Sequence, residues 1–300
     1  MNKPLTTIAA SLALLFTVSA ANATPIKTDI ISIIDESGSM SGEQAWLPGM
    51  IAQLDAALDA EAGVDPFSAQ YGLVGFGRFN NGGNPRRFDM NLLTGSLDEF
   101  GSTAGLTAAA ANLVANGSVE DGYEALDLAF SYNLRADAVH NYILITDEDR
   151  DNTDNSHTAS SILNSLVSTN ALLNAVLNVN VFCGQTRALG LDSAGTGYIA
   201  NGLGGYTTCT NAQVTTGFGT SITDYANIAL NTGGAVWDLN LLRAGGLTAQ
   251  SFTNAFVDIK VQETMSNPVP EPASAALLLS GLGLLGASRR LKNRKTVNKC

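Results

Sequence analysis

Ile30-Ile31-Ser32-Ile33-Ile34-Asp35-Glu36-Ser37-Gly38-Ser39-Met40 joins a β-branched run to an acidic, serine-bearing turn. Near-continuous apolar character over 30–34 suits a strand buried on both faces, because helices then cover both sides of its sheet. Open α/β sheets bind ligands at the carboxyl ends of such strands. Asp35, Ser37 and Ser39 offer one carboxylate and two hydroxyls from a single turn, and Gly38 leaves the backbone free to bend them together. Oxygen donors alone suit a hard cation: Mg2+ or Ca2+, with Mn2+ also possible.

Outward from this turn, strand-length apolar runs alternate with helical patterns, as a parallel sheet flanked by helices requires. A helix is predicted over 43–60, where Leu47, Met50, Ile51, Leu54 and Leu58 recur at helical spacing. Strands are predicted over 71–76 and 87–93, joined by the Asn80-Asn81-Gly82-Gly83 turn, a connection short enough to imply an antiparallel pair. Further helices are predicted over 97–114 (broken at Gly101 and Gly105), from about Glu120 through Ala129, over 159–173, 222–230 and 248–263. Strands complete the pattern at 142–146, 176–182 and 235–239. The fold class expected is α/β: a doubly wound, mostly parallel six-stranded sheet with helices on both faces and one antiparallel edge strand.

Asp35, Ser37 and Ser39 match, position by position, the D-x-S-x-S pattern of the metal-ion-dependent adhesion site in von Willebrand factor type A (VWA) domains, which residues 24–267 resemble. The resemblance implies two further ligand loops. One supplies a threonine at the start of a helix; here Gly117-Ser118-Val119-Glu120-Asp121-Gly122 occupies that segment, and Glu120 stands where the threonine falls. A carboxylate there adds negative charge and favours a larger cation such as Ca2+, although Glu120 and Asp121 also suit a helix N-terminus. The other loop supplies Asp147, at the end of the 142–146 strand. The family follows this aspartate with glycine, whereas this chain continues Glu148-Asp149-Arg150-Asp151, either a second cation site or a solvated charged loop. In the family, a partner's carboxylate completes the cation's coordination.

Both ends read as addresses. Residues 1–23 carry Lys3, an apolar run over 8–18 and the ending Ala21-Asn22-Ala23, which is a secretory signal peptide with cleavage expected between Ala23 and Thr24. Residues 268–300 contain Val269-Pro270-Glu271-Pro272, an apolar stretch over 273–287 and a basic tail over 288–300. The apolar stretch is short for a spanning helix, but the tail charge predicts that the bulk of the chain lies outside. These three parts resemble, in order, the PEP-CTERM sorting signal of Gram-negative bacteria. The resemblance implies transient inner-membrane anchoring, cleavage by an exosortase, and release or attachment at the cell surface or in an extracellular matrix.

Of 16 Lys+Arg and 27 Asp+Glu, removing Lys3, the six basic tail residues and Glu271 leaves 9 against 26, a net charge near −17 between the two addresses. Such a surface disfavours nucleic acid and anionic membranes as partners and suits cations, cationic ligands or plain solubility. Removing the tail takes Cys300 and leaves Cys183 and Cys209, which read as one disulfide in an exported domain or as a reduced pair. They flank much of a Gly/Thr-rich insertion over 184–221, which follows a strand's carboxyl end and is expected on the metal's side, as a binding rim or a passive loop.

Three functions compete. A cation-dependent adhesion module binds a protein or matrix polymer through a carboxylate. A structural matrix protein uses the metal only to stabilise its fold. A metal-assisted hydrolase activates water at the cation. The chain has no G-x-S-x-G elbow and only His140 and His157 as histidines, so no enzyme is expected and the adhesion module is preferred.

Overall fold

The computed structural model describes residues 26–63, 67–79, 82–153 and 155–267. The signal peptide and its Ala23/Thr24 cleavage site, Asn80 and Asn81 of the expected turn, and the sorting segment from 268 onward lie outside the described residues.

The chain runs β1 (Ile26–Asp35), α1 (Ser41–Ala62), β2 (Phe67–Phe76), β3 (Arg86–Arg87), α2 (Thr103–Ala110), α3 (Gly122–Phe130), β4 (Val139–Thr146), α4 (Ala159–Ser168) and β5 (Leu172–Leu177). Then come β6 (Val179–Cys183), β7 (Thr186–Ala188), β8 (Gly190–Asp192), β9 (Gly197–Ala200), β10 (Tyr206–Cys209) and β11 (Gln213–Gly217). A π-helical turn, Ile222–Ala226, leads into α5 (Asn227–Asn231), β12 (Ala235–Asp238), α6 (Leu239–Arg243) and α7 (Gly246–Ser266).

The main sheet has nine strands, in the order β10-β9-β8-β12-β5-β4-β1-β2-β3. Its centre, β12-β5-β4-β1-β2, is parallel, and β3 lies antiparallel at one edge. β1, β2, β4 and β12 are strands the sequence predicts, whereas the strands predicted over 87–93 and 176–182 overlap β3 and β5 only at Arg87 and at Val176 and Leu177. The six-stranded expectation is also too small: β8, β9 and β10, all from the insertion, extend the far edge, β8 antiparallel to β12 and each further strand antiparallel to the one before it. Short Gly- and Thr-rich strands carry little periodic signal, which is why they read as loop. A second, three-stranded sheet, β11-β6-β7, uses the remainder of the insertion.

Burial explains the apolar run at 30–34. Ile30 and Ile34 pack with Leu47, Met50 and Leu54 of α1 and Phe252 and Phe256 of α7. Ile31 and Ile33 face the other way, toward Tyr123 and Leu126 of α3, Ile162 of α4 and Ile228 of α5. Helices therefore cover both faces, the doubly wound arrangement. Trp237 of β12, fully buried, stacks on Tyr198 of β9 at 5.6 Å and thereby ties the insertion into this core.

Several boundaries differ from the pattern in the sequence. The helix expected over 159–173 stops at Ser168, because Asn170 takes φ 51 and Leu172–Leu177 enters the sheet fully buried. The strand expected over 176–182 breaks at Asn178 and divides between β5 and β6. The strand expected over 87–93 pairs only at Arg86–Arg87; the Asp89 carboxylate then accepts the N–H groups of Asn91 and Asp98 and turns the chain out of the ladder. The helix expected over 97–114 shrinks to α2, since Gly101 pairs with Tyr71 and Ser102 caps the helix that follows. Leu239, expected to end a strand, opens α6.

Cys183 and Cys209 are joined by a disulfide, with Cα atoms 6.4 Å apart and a sequence separation of 26. Cross-linking a loop of that length stabilises a fold by about 3 kcal/mol in the chain-entropy view. Cys183→Ser/Cys209→Ser is therefore expected to lower the melting temperature by roughly 6–12 °C, checked by thermal melts with and without reductant.

Candidate metal centre

The chain leaves β1 for β2 on one side and returns as β4 on the other, so the carboxyl ends of β1 and β4 border the crevice where strand order reverses. Asp35 ends β1 there, fully buried. One carboxylate oxygen accepts the Ser37 N–H at 2.6 Å and the other accepts the Thr146 hydroxyl at 2.9 Å. Ser37 Oγ lies 3.2 Å from Ser39 Oγ, and Ser39 Oγ donates to Asp147 Oδ1 at 3.0 Å. Two loops of the sequence reading thus meet in one connected run of oxygens.

The third loop arrives by close backbone contact. Ser37 bridges Gly117, the Gly38 N–H donates to Gly117 O at 3.3 Å, and the Asn116 and Gly117 N–H groups both donate to Glu36 O at 3.0 Å. A Cβ on Gly117 would stand 1.5 Å from Gly77 O. Gly77, at φ 85, has space for a Cβ only 3.0 Å from Asp35 Oδ1 and 3.1 Å from Glu120 Cγ, so the Asp35 carboxylate and the Glu120 side chain flank one small volume. Gly38 differs from expectation: its φ is not left-handed and nothing crowds it, so glycine is needed at 77 and 117 instead.

Glu120 and Asp121 separate into different roles. Asp121 caps α3 by accepting the Tyr123 N–H at 3.0 Å and pairs with Arg150, whose guanidinium lies 4.4 Å from the centroid of the Tyr123 ring. Burial pushes the Asp121 carboxyl up, but the pairing with Arg150 prevails and holds it below its usual value. Glu120 sits outside the helix, 2% exposed, with Oε2 buried and lacking a hydrogen-bond partner. Its N–H donates to Asp151 Oδ2 at 2.8 Å. The 148–151 stretch is accordingly tied down: Arg150 to Asp121, Asp151 to Glu120, and Asp149 to Thr220 of the insertion, whose N–H and hydroxyl both donate at 3.1 Å. The insertion therefore reaches the loop that follows Asp147.

Burial, reinforced by Asp35, Glu148, Asp151 and Asp147, pushes the Glu120 carboxyl up to about 8. Burial also pushes Asp35 up to about 7 despite the hydrogen bonds from Ser37 and Thr146, with Asp147 adding to the rise. Both groups hold protons in the folded state that the unfolded chain loses near its ordinary carboxylate values. Their contribution to stability therefore falls as pH rises from about 4 to about 8. A divalent cation replaces those protons. The melting-temperature gain from saturating Mg2+ or Ca2+, relative to chelator, is expected to grow between about pH 5 and about pH 8; a gain that shrinks over that range contradicts this assignment.

The donor set fits a hard cation. Asp35, Ser37, Ser39, Glu120 and Asp147 would hold it, and the unpartnered Glu120 oxygen is a buried acceptor with nothing else to serve. Among the described residues no three His, Cys, Asp or Glu groups stand close enough together to hold an ion, so Asp35, Glu120 and Asp147 do not by themselves form a three-carboxylate cage.

Arg243 of α6 is a further residue at this site, and nothing in the local sequence pattern marks it. Its Nη2 donates to Asp147 Oδ2 at 2.9 Å and to Ser39 O at 3.2 Å, while its Nε donates to Glu43 Oε1 at 2.6 Å. Only the tertiary packing of α6 on α7, which itself packs on α1, brings it there.

Residues 268–295 match the PEP-CTERM protein-sorting motif. No curated protein is significantly similar to the chain. Similar solved structures include a von Willebrand factor type A protein from Catenulispora acidiphila, 21% identical, covering 51% of this chain and 33% of that one at a TM-score of 0.32. Another is proximal thread matrix protein 1 from the mussel byssus with a zinc-occupied MIDAS motif, 17% identical, covering 51% and 38% at 0.36. A third is the human COPII-coat protein Sec24c, 12% identical, covering 53% and 27% at 0.37. The chain spans between a quarter and two fifths of the length of these structures.

Proposed function

We propose that this chain is an exported, divalent-cation-dependent binding module of the VWA type, acting at the cell surface or in an extracellular matrix. The observation that carries the reading is the convergence, at the sheet's switch point, of Asp35, Ser37, Ser39 and Asp147 with the buried, unpartnered Glu120 carboxylate. Mg2+ or Ca2+ held there accepts a carboxylate from a protein or matrix polymer and so bridges two acidic surfaces. The sorting motif at 268–295 supports export, transient anchoring and processing by an exosortase.

Binding is favoured over catalysis by the company the serines keep. Ser37 and Ser39 hydroxyls meet each other and the Asp147 carboxylate, which would be taken up by the cation it helps to hold. His140 lies at the far end of β4 from Asp147 and contacts Arg135 O.

The test is retention on the producing cells. Chelator is expected to release the wild-type protein into the medium, Mg2+ or Ca2+ to restore binding, and Asp35→Asn to stay released under both conditions. Retention unaffected by chelator or by Asp35→Asn, with a lowered melting temperature in chelator, would replace this reading with a purely structural metal.

A further inference from the structure

Of the five proposed metal-site side chains, Ser39 is the exposed one, while Asp35, Ser37, Glu120 and Asp147 are all buried. Beside Ser39 a cavity of about 550 Å³ opens between α1 and α6, lined by Ser39, Glu43, Trp46, Leu242 and Arg243 among others. A group approaching the centre from this flank therefore meets Arg243. The guanidinium is held in place through Nε and Nη2, and Nη1 has no hydrogen-bond partner among the described residues. The Arg243 side chain is 32% exposed, whereas its anchor Glu43 is 2% exposed. A buried carboxylate thus holds one edge of an arginine fork while part of that fork still faces solvent beside Ser39. Guanidinium forks in this situation recognise carboxylates, to which they present directed, charged donors.

We propose that Arg243 is the second positive pole of the ligand site, so that an incoming carboxylate is recognised jointly by the cation and by the Arg243 Nη1 group, the part of the guanidinium that Glu43, Ser39 and Asp147 leave free. This rests on the metal-dependent reading above. It has an opposed pair of consequences. Arg243 repels the cation and competes with it for Asp147, so losing its charge strengthens cation binding. The same loss removes a donor to the ligand, so carboxylate binding weakens.

The test uses the full-length exported protein with acetate as the probe. Because Arg243→Gln alone would strand the Glu43 carboxylate, the variant is Glu43→Gln/Arg243→Gln, with Arg243→Lys beside it. Titration with Mg2+ is expected to show affinity no lower than the wild type's in the double variant, because freeing Asp147 from Arg243 offsets the lost Glu43 charge. Acetate added to the Mg2+-loaded protein is expected to bind about tenfold or more weakly in the double variant, the scale of a lost charged hydrogen bond, and at an intermediate strength in Arg243→Lys. Unchanged acetate affinity in the double variant, with Mg2+ bound normally by the wild type, would overturn this inference alone. A wild type that binds no Mg2+ would overturn the metal reading and this inference together.

Discussion

Gly117→Ala is expected to be the most disruptive single-methyl change near the metal centre, costing about 3 kcal/mol or more and lowering the melting temperature by roughly 6–12 °C. The added Cβ would lie 1.5 Å from the Gly77 carbonyl oxygen, and both partners of that clash are backbone. Relief requires the 111–121 segment to withdraw from the β1 turn. Withdrawal breaks the Gly38–Gly117 and Gly117–Glu36 hydrogen bonds and carries Glu120 away from Asp35. Cation affinity should therefore fall with stability. Gly38→Ala is the control, since nothing lies within 4 Å of its Cβ position and its φ is not left-handed; it is expected to leave both properties nearly unchanged. Thermal melts and cation titrations of the two variants check the contrast, and equal losses in both would contradict it.

Asp35→Asn is expected to separate stability from binding in the opposite sense. The amide keeps the shape of the carboxylate and preserves hydrogen bonding to Ser37 N–H and the Thr146 hydroxyl. It removes a fully buried charge that lies near Glu120 and Asp147. Without cation, at about pH 8, the variant should be more stable than wild type by up to about 4 kcal/mol, the scale of the raised Asp35 carboxyl. With saturating Mg2+ or Ca2+ the order reverses, because the wild type gains binding free energy and the variant does not. A melt series with chelator and with cation reads both halves; destabilisation of the variant in chelator would show that Asp35 is held mainly by its hydrogen bonds.

The parallel centre of the sheet was legible because burial on both faces leaves a period-free apolar run, as at 30–34, and because Asp35 and Asp147 fall where such runs end. The nine-stranded width was not. Strands such as Thr186–Ala188 and Gly190–Asp192 are three residues long and owe their place to Trp237, Tyr198 and the disulfide rather than to any pattern of their own. At the candidate site, alternate serines after an aspartate signalled a cation by their chemistry. The structural role of Gly77 and Gly117 was hidden, since what matters is the approach of two loops 40 residues apart. Arg243 was hidden for the same reason: it lies 96 residues from Asp147 and 200 from Glu43, and only the packing of α6 on α7 beside α1 unites them. The acidic run at 148–151 could be read from sequence as free and solvated, but Arg150 and Asp151 spend their charges on Asp121 and the Glu120 N–H.

The central claim is that Asp35, Ser37, Ser39, Glu120 and Asp147 form one cation site. Calorimetric titration of the wild-type protein with Mg2+ and with Ca2+, beside Asp35→Asn, tests it most directly. One saturable site in the wild type, accompanied by proton release and lost in the variant, is the predicted result. No saturable binding of either ion, or binding that survives Asp35→Asn, would contradict it.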